Sequence, residues 1–257
     1  MRHSSGGLFG AFWVLLVSPL VEVEGMELFF DGVAISRGGP VIRASGRFGP
    51  GINLVSGRVG AGKSTLAAMA AGLLAPGEGA IIRDGIRSTM ISFQFPEWQL
   101  SGNTIREEIR SWGADEGEIL PLAGLVGREG DDPLSLSRGE LKKLVLSCIF
   151  EKAWDLLILD EPFSALDCSG KREICRLIEA RRSSIVILCT HEQHFLPRVD
   201  SPWEFQGHDL VCRGTVPDAL TRWELAPPSV KALLSRGIVP HNISEGDLAE
   251  AACRIHG

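Results

Sequence analysis

The run Gly57-Arg58-Val59-Gly60-Ala61-Gly62-Lys63-Ser64-Thr65 matches the pattern G-x-x-x-x-G-K-[ST] in full. Glycines in such a loop let successive backbone N–H groups turn inward around phosphate oxygens, and a following helix N-terminus adds the positive end of its dipole. At this spacing Lys63 reaches the β- and γ-phosphates of ATP and the Ser64 hydroxyl ligates Mg2+. A second cluster, Asp160-Glu161, ends the apolar run 156–159. Asp160 is read as the carboxylate that holds the metal, and Glu161 as the general base that polarises an attacking water. Thr190-His191 ends the next apolar run, 185–189, so that His191 can hydrogen-bond the γ-phosphate and the water. Gln94 follows the stretch 90–93 and brings an amide near the metal. An acid pair ending a strand is also a common helix cap, and a lone histidine is often structural. Their order behind a phosphate loop favours the catalytic reading.

Each of these groups needs an element to hold it. Residues 51–57 read as a buried strand running into the glycine-rich turn. The Ala- and Leu-rich stretch 63–74 reads as the helix that follows, stopped by Ala75-Pro76-Gly77. Two short strands are expected between 26 and 42, broken by Asp31-Gly32 and by Gly38-Gly39-Pro40. Further strands fall at 80–83 and 89–93, and 97–151 turns helical, with Asn103 and Ser137 as caps. The wholly apolar runs 156–159 and 185–189 are expected as strands covered on both faces, with a helix at 171–182 between them. Past 196 the pattern weakens into short strands at 203–205 and 210–213, then small helices. This alternation implies a mostly parallel α/β sheet with a helical insertion. The acid pair then lies at the carboxyl end of a buried strand, where ligands of open α/β sheets bind.

The chain has 257 residues, 44% hydrophobic and 23% charged, a balance that excludes disorder, collagen and coiled-coil arrays. With 26 basic residues against 32 acidic, net −6, it is not built chiefly to grip nucleic acid. Six cysteines without a C-x-x-C pair read as reduced, mostly buried small hydrophobes. Residues 1–25 do not fit the rest. Arg2 and His3 precede an apolar run, 8–21, that is shorter than the ~20 residues of a spanning helix and is interrupted by Pro19. Met26 is expected to be the working start, with 1–25 a leader or upstream translated sequence.

The order of these motifs resembles the nucleotide-binding ATPases of ABC transporters. The piece that carries the resemblance is Leu136-Ser137-Arg138-Gly139-Glu140, in the place of that family's LSGGQ, just before a helix and ahead of Asp160. Covering roughly 26–213, the resemblance implies a RecA-like α/β P-loop ATPase core with an antiparallel β subdomain. It also implies an inserted α-helical subdomain, about 95–150, and a small C-terminal appendage. The core would run over 26–196 and the appendage over 197–257. It implies further that two such subunits, identical or different, sandwich two ATP molecules. Ser137 and Gly139 of one would contact the γ-phosphate held at the other's Lys63 loop, with Asp167 at the interface.

Within that family, Phe93-Gln94-Phe95-Pro96-Glu97-Trp98-Gln99-Leu100 is similar to the FQ-x-P-x-x-QL stretch of energy-coupling-factor importers of vitamins and transition-metal ions such as cobalt and nickel. The segment 225–234, with Pro227 and Pro228, resembles their proline-containing C-terminal segment. This implies a peripheral subunit on the cytoplasmic face of the cell membrane. Its partners would be a transmembrane coupling subunit, whose short helices enter the groove beside Gln94, and a substrate-binding membrane subunit. Three departures stand out. Arg138 and Glu140 replace a glycine and a glutamine. The short span from Gln94 to Ser137 points to a trimmed helical subdomain. Arg37 stands where the family commonly stacks a tyrosine on adenine, and the chain has no tyrosine at all. A soluble ABC ATPase acting on DNA or ribosomes would need long coiled coils, zinc modules or tandem halves, for which the chain has no room. A small-molecule kinase would have no use for residues 136–140 or Asp167.

Overall fold

The computed structural model describes residues 25–254, so the reading of 1–25 as a leader falls outside the described residues except for its last one. The strands are β1 Glu27–Ile35, β2 Ile42–Phe48, β3 Gly51–Ser56, β4 Glu78–Asp84, β5 Thr89–Ser92, β6 Leu156–Asp160, β7 Ile185–Cys189, β8 Ser201–Gln206 and β9 Asp209–Cys212. The helices are α1 Lys63–Ala70, α2 Ile105–Ser111, α3 Glu116–Ala123, α4 Arg138–Glu151, α5 Cys168–Glu179, α6 Pro228–Leu234 and α7 Glu245–Cys253. Among the described residues the strands form one sheet in the order β4-β1-β2-β9-β8-β3-β7-β6-β5. The run β8-β3-β7-β6-β5 is parallel throughout, whereas β1 pairs antiparallel with both β2 and β4.

Strands β3, β6 and β7 are buried at every position, as their apolar runs require of central parallel strands. Alternate residues serve opposite faces. Leu156 and Ile158 pack with Leu66 and Met69 of α1 on one side, and Leu157 and Leu159 pack with Leu144 and Val145 of α4 on the other. Parallel pairing also brings the carboxyl ends of β3, β7, β6 and β5 to one edge, so the phosphate loop, Thr190-His191, Asp160-Glu161 and Gln94 all emerge there.

Several boundaries differ from those expected. Strand β1 passes through Asp31-Gly32 unbroken, because a register shift between Phe30 and Val33 absorbs the glycine as a bulge. Strand β2, with Arg, Ser and Gly among its residues, gave no apolar signal and was missed. Helix α1 stops at Ala70, where Gly72 at φ 79 accepts the left-handed turn before Pro76 is reached. Thr104, not Asn103, caps α2 by accepting from the Glu107 amide. Ser137 does cap α4. Asp167 caps α5, which therefore begins and ends earlier than 171–182. The appendage is smaller than 197–257, since β8 and β9 lie inside the sheet and only the short helices beyond them sit outside it. Of the cysteines, Cys148 and Cys189 are buried, but Cys168, Cys212 and Cys253 are exposed.

Candidate phosphate-binding site

The loop from β3 to α1 takes its shape from glycine. Gly62, with φ 119, caps α1, and a Cβ there would lie 2.7 Å from Cδ1 of Ile42. The backbone angle is one that residues with a side chain rarely adopt, and a Cβ would also push the Ile42 side chain aside. The loop and the first turn of α1 border a cavity of about 280 Å³, whose wall also includes Lys63, Ser64, Thr65, Gln94, Glu161 and His191. Lys63 is buried beneath it. Its amine donates to the carbonyls of Gly57 at 2.9 Å and Arg58 at 3.3 Å and stands 4.0 Å from Oε1 of Glu161. Arg58, Val59, Gly60 and Ala61 complete the loop, with Val59 exposed at its tip.

Asp160 and Glu161 are both buried. Burial raises the Asp160 pKa, against the opposing hydrogen bond from the Ser64 hydroxyl. Its Oδ1 has no hydrogen-bond partner, an arrangement that is costly without a ligand. Glu161 has φ 50, which non-glycine residues rarely adopt, and its amide donates to Cys189 O at 2.8 Å. One carboxylate oxygen, Oε2, accepts from the Thr190 hydroxyl at 3.0 Å and the His191 amide at 3.2 Å. The other, Oε1, lies 2.8 Å from Nδ1 of His191, whose side chain is 65% exposed. An acid fixed by two donors, a lysine and an accessible imidazole therefore face one cavity, and the carboxylate with the orphaned oxygen lies behind its Ser64 wall.

Gln94 is exposed and borders the same cavity. The turn that carries it is closed by Gln99, whose Nε2 donates to Ile91 O at 2.8 Å and whose Oε1 accepts from the Phe93 amide at 3.0 Å. Trp98 is 71% exposed beside the rings of Phe95 and Phe93, with centroids 5.1 and 6.4 Å away. Arg37 is exposed between β1 and β2 and does not border the cavity, whereas Ile42 does.

Ser137 and Gly139 stand apart from the cavity, at the start of α4. Ser137 Oγ accepts from the Glu140 amide at 3.3 Å, and Glu140 Oε2 accepts from the Ser137 amide at 2.8 Å. This capping box accepts Glu or Gln equally, so Glu140 keeps the turn that a glutamine would make, and Arg128 neutralises its outer oxygen at 2.8 Å. A Cβ on Gly139 would lie 2.6 Å from Ala165 O, so the turn packs against the loop that follows Glu161. Asp167 receives the Gly170 amide at 2.8 Å. The sequence reading missed Thr190, Gln99 and the buried Lys142 as parts of this arrangement. Thr190, adjacent to His191, and Gln99, the second glutamine of the stretch 93–100, carried signals that could have found them, whereas Lys142 carried none.

Residues 50–164 match the family described as ABC transporter. The energy-coupling factor transporter ATP-binding protein EcfA1 of Thermotoga maritima is 35% identical over 194 residues, covering 67% of this chain and 72% of that one. The chain belongs to the ABC transporter ATP-binding family. A second ATP-binding subunit of the same organism, EcfA2, is 29% identical over 229 residues, 78% of this chain and 86% of its own. The structure of cbiO1 from Clostridium perfringens, described as part of the ABC transporter complex cbiONQ, shares the fold with a TM-score of 0.61 at 21% identity. It covers 82% of this chain and 100% of that one. This ABC ATPase keeps the phosphate loop and the acid pair while altering the signature at Arg138 and Glu140. No helix among its described residues is long and apolar enough to cross a membrane.

Proposed function

We propose that this chain is the ATP-hydrolysing subunit that powers an energy-coupling-factor importer of a vitamin or a transition-metal ion. The observation that carries the reading is the convergence of Lys63, Ser64, Glu161 and His191 on one cavity, with the buried Asp160 behind it on the Ser64 hydroxyl. The phosphates of ATP would lie along the 57–65 loop, with Lys63 leaving its two carbonyl partners for the β- and γ-oxygens. The orphaned Oδ1 of Asp160 beside the Ser64 hydroxyl offers hard oxygen donors that suit Mg2+, and the Gln94 amide lies at the same wall. Such an ion, when bound, neutralises charge on the β- and γ-phosphates. Glu161 takes a proton from the attacking water as that water adds in line to the γ-phosphorus, while the bond from that phosphorus to the β,γ-bridging oxygen breaks and ADP leaves with the bonding electron pair. His191 and Lys63 stabilise the charge that develops on the γ-oxygens. Thr190 keeps Glu161 turned toward the water.

Ser137 and Gly139 lie too far from their own chain's cavity wall to border it, which fits a site completed by a second ATPase subunit, identical or different. Arg37 would lie over the adenine ring, a weaker clamp than an aromatic. The exposed Trp98 beside Gln94 supports docking to a transmembrane coupling subunit at the cytoplasmic membrane face, with a separate membrane subunit binding the solute. Co-expression with such a coupling subunit tests the reading. A detergent-stable complex that hydrolyses ATP is expected, and failure of any such subunit to hold the ATPase would contradict it.

A further inference from the structure

Helix α4 carries a buried lysine that the phosphate chemistry does not use. Lys142 is 1% exposed, and its amine donates to the carbonyls of Phe93 at 2.8 Å and Gln94 at 3.2 Å. A buried ammonium is costly unless it is paired or fully hydrogen-bonded, and this one has main-chain carbonyls as its partners, with no carboxylate among the described residues in salt-bridge contact. Burial draws its pKa down to about 8, against the raising influence of Asp160, Glu161 and Glu97. The two carbonyls belong to the turn that leaves β5. Gln99 closes that turn from within its own loop, and Lys142 holds it from outside. The same helix begins with Ser137 and Gly139, and Gly139 abuts the loop after Glu161.

We propose that Lys142 is a positioning residue that ties the Gln94 turn to α4, so that the turn and the Ser137–Gly139 end of the helix move as one body. It acts through the main chain of Phe93 and Gln94, never on the nucleotide itself. The proposal rests on the reading above in taking Gln94 and Ser137 as nucleotide-responsive groups, but the contact is a property of the chain alone.

Amide hydrogen exchange and ATP turnover in the full chain, with Lys142→Met and Lys142→Gln beside the unmutated protein, test it. The methionine fills the space without donors, whereas the glutamine amide can still donate to a carbonyl. Loss of the tie should speed exchange at the Phe93 and Trp98 amides by about tenfold or more in Lys142→Met, with the β6 and β7 amides unmoved. In the same variant kcat should fall while ATP affinity stays within about twofold. Lys142→Gln should recover most of the protection. The proposal is overturned if the turn exchanges equally in all three proteins, if β6 and β7 loosen with it, or if Lys142→Gln matches Lys142→Met. Absence of ATP hydrolysis in the unmutated protein would refute the functional reading alone, because the exchange comparison needs no turnover.

Discussion

Nδ1 of His191 lies 2.8 Å from Oε1 of Glu161, while the other oxygen of that carboxylate is held by Thr190 and by the backbone of His191 itself. The end of β7 thus fixes Glu161, the acid that follows β6, and the parallel pairing of Asp160 with Cys189 sets the register between the two strands. The acid is oriented by neighbours one strand away, which is why two short sequence motifs far apart in the chain behave as one unit.

Trp98 gives the first prediction. A large aromatic exposed to 71% beside Phe95 is the kind of anchor that dominates an interface. Trp98→Asp should leave ATP turnover of the isolated subunit unchanged and reduce capture by a coupling membrane subunit by about tenfold or more. Pull-down from detergent would measure it, and unchanged capture would assign Trp98 to packing within the helical region.

Glu192 makes a pH prediction. Partial desolvation pushes its carboxylate up, but hydrogen bonds from Lys171 and from the His194 and Gln193 amides outweigh this and bring it to about 2 from an ordinary 4.5. The unfolded chain therefore binds this proton first on acidification. The stabilisation is complete above about pH 4.5 and is lost as pH falls toward 2. Glu192→Gln should unfold at lower urea than the unmutated protein at pH 7, with the gap closing across that window. A gap independent of pH would show that the carboxylate charge is not the stabilising feature.

Arg37 concerns adenine. Stacking an aromatic on a base is worth ~1–3 kcal/mol, and a solvated guanidinium gives less. Arg37→Tyr should tighten ATP binding about three- to tenfold, and Arg37→Ala should weaken it modestly. Identical affinities for all three in an equilibrium titration would show that residue 37 does not touch the base.

The parts legible in the sequence were those that announce themselves locally. Glycines with a fixed φ, a lysine and a hydroxyl in one loop mark the phosphate site, and wholly apolar runs such as 156–159 can only be central strands. Strand β2 was not legible, because Arg43, Ser45 and Gly46 interrupt its apolar pattern and its identity comes from its neighbours β1 and β9. Lys142 was hidden for a different reason. A lysine in a helix usually faces water, and nothing in the chain near it says that the turn at Phe93 and Gln94 will cover it. Likewise Glu140 looked like a damaged signature until the capping box showed it making the bond a glutamine would make.

The most direct measurement is steady-state ATP hydrolysis by Glu161→Gln beside the unmutated chain, with ATP binding measured on the same samples. General-base action contributes ~10²–10⁴-fold. The substitution keeps the shape that Thr190 and His191 hold but removes the acceptor of the water's proton. ATP affinity should stay nearly unchanged, turnover should fall by at least about a hundredfold, and an ATP-bound dimer should accumulate. Residual turnover above about a tenth of the unmutated rate would contradict the assignment of Glu161 and, with it, the account of this site.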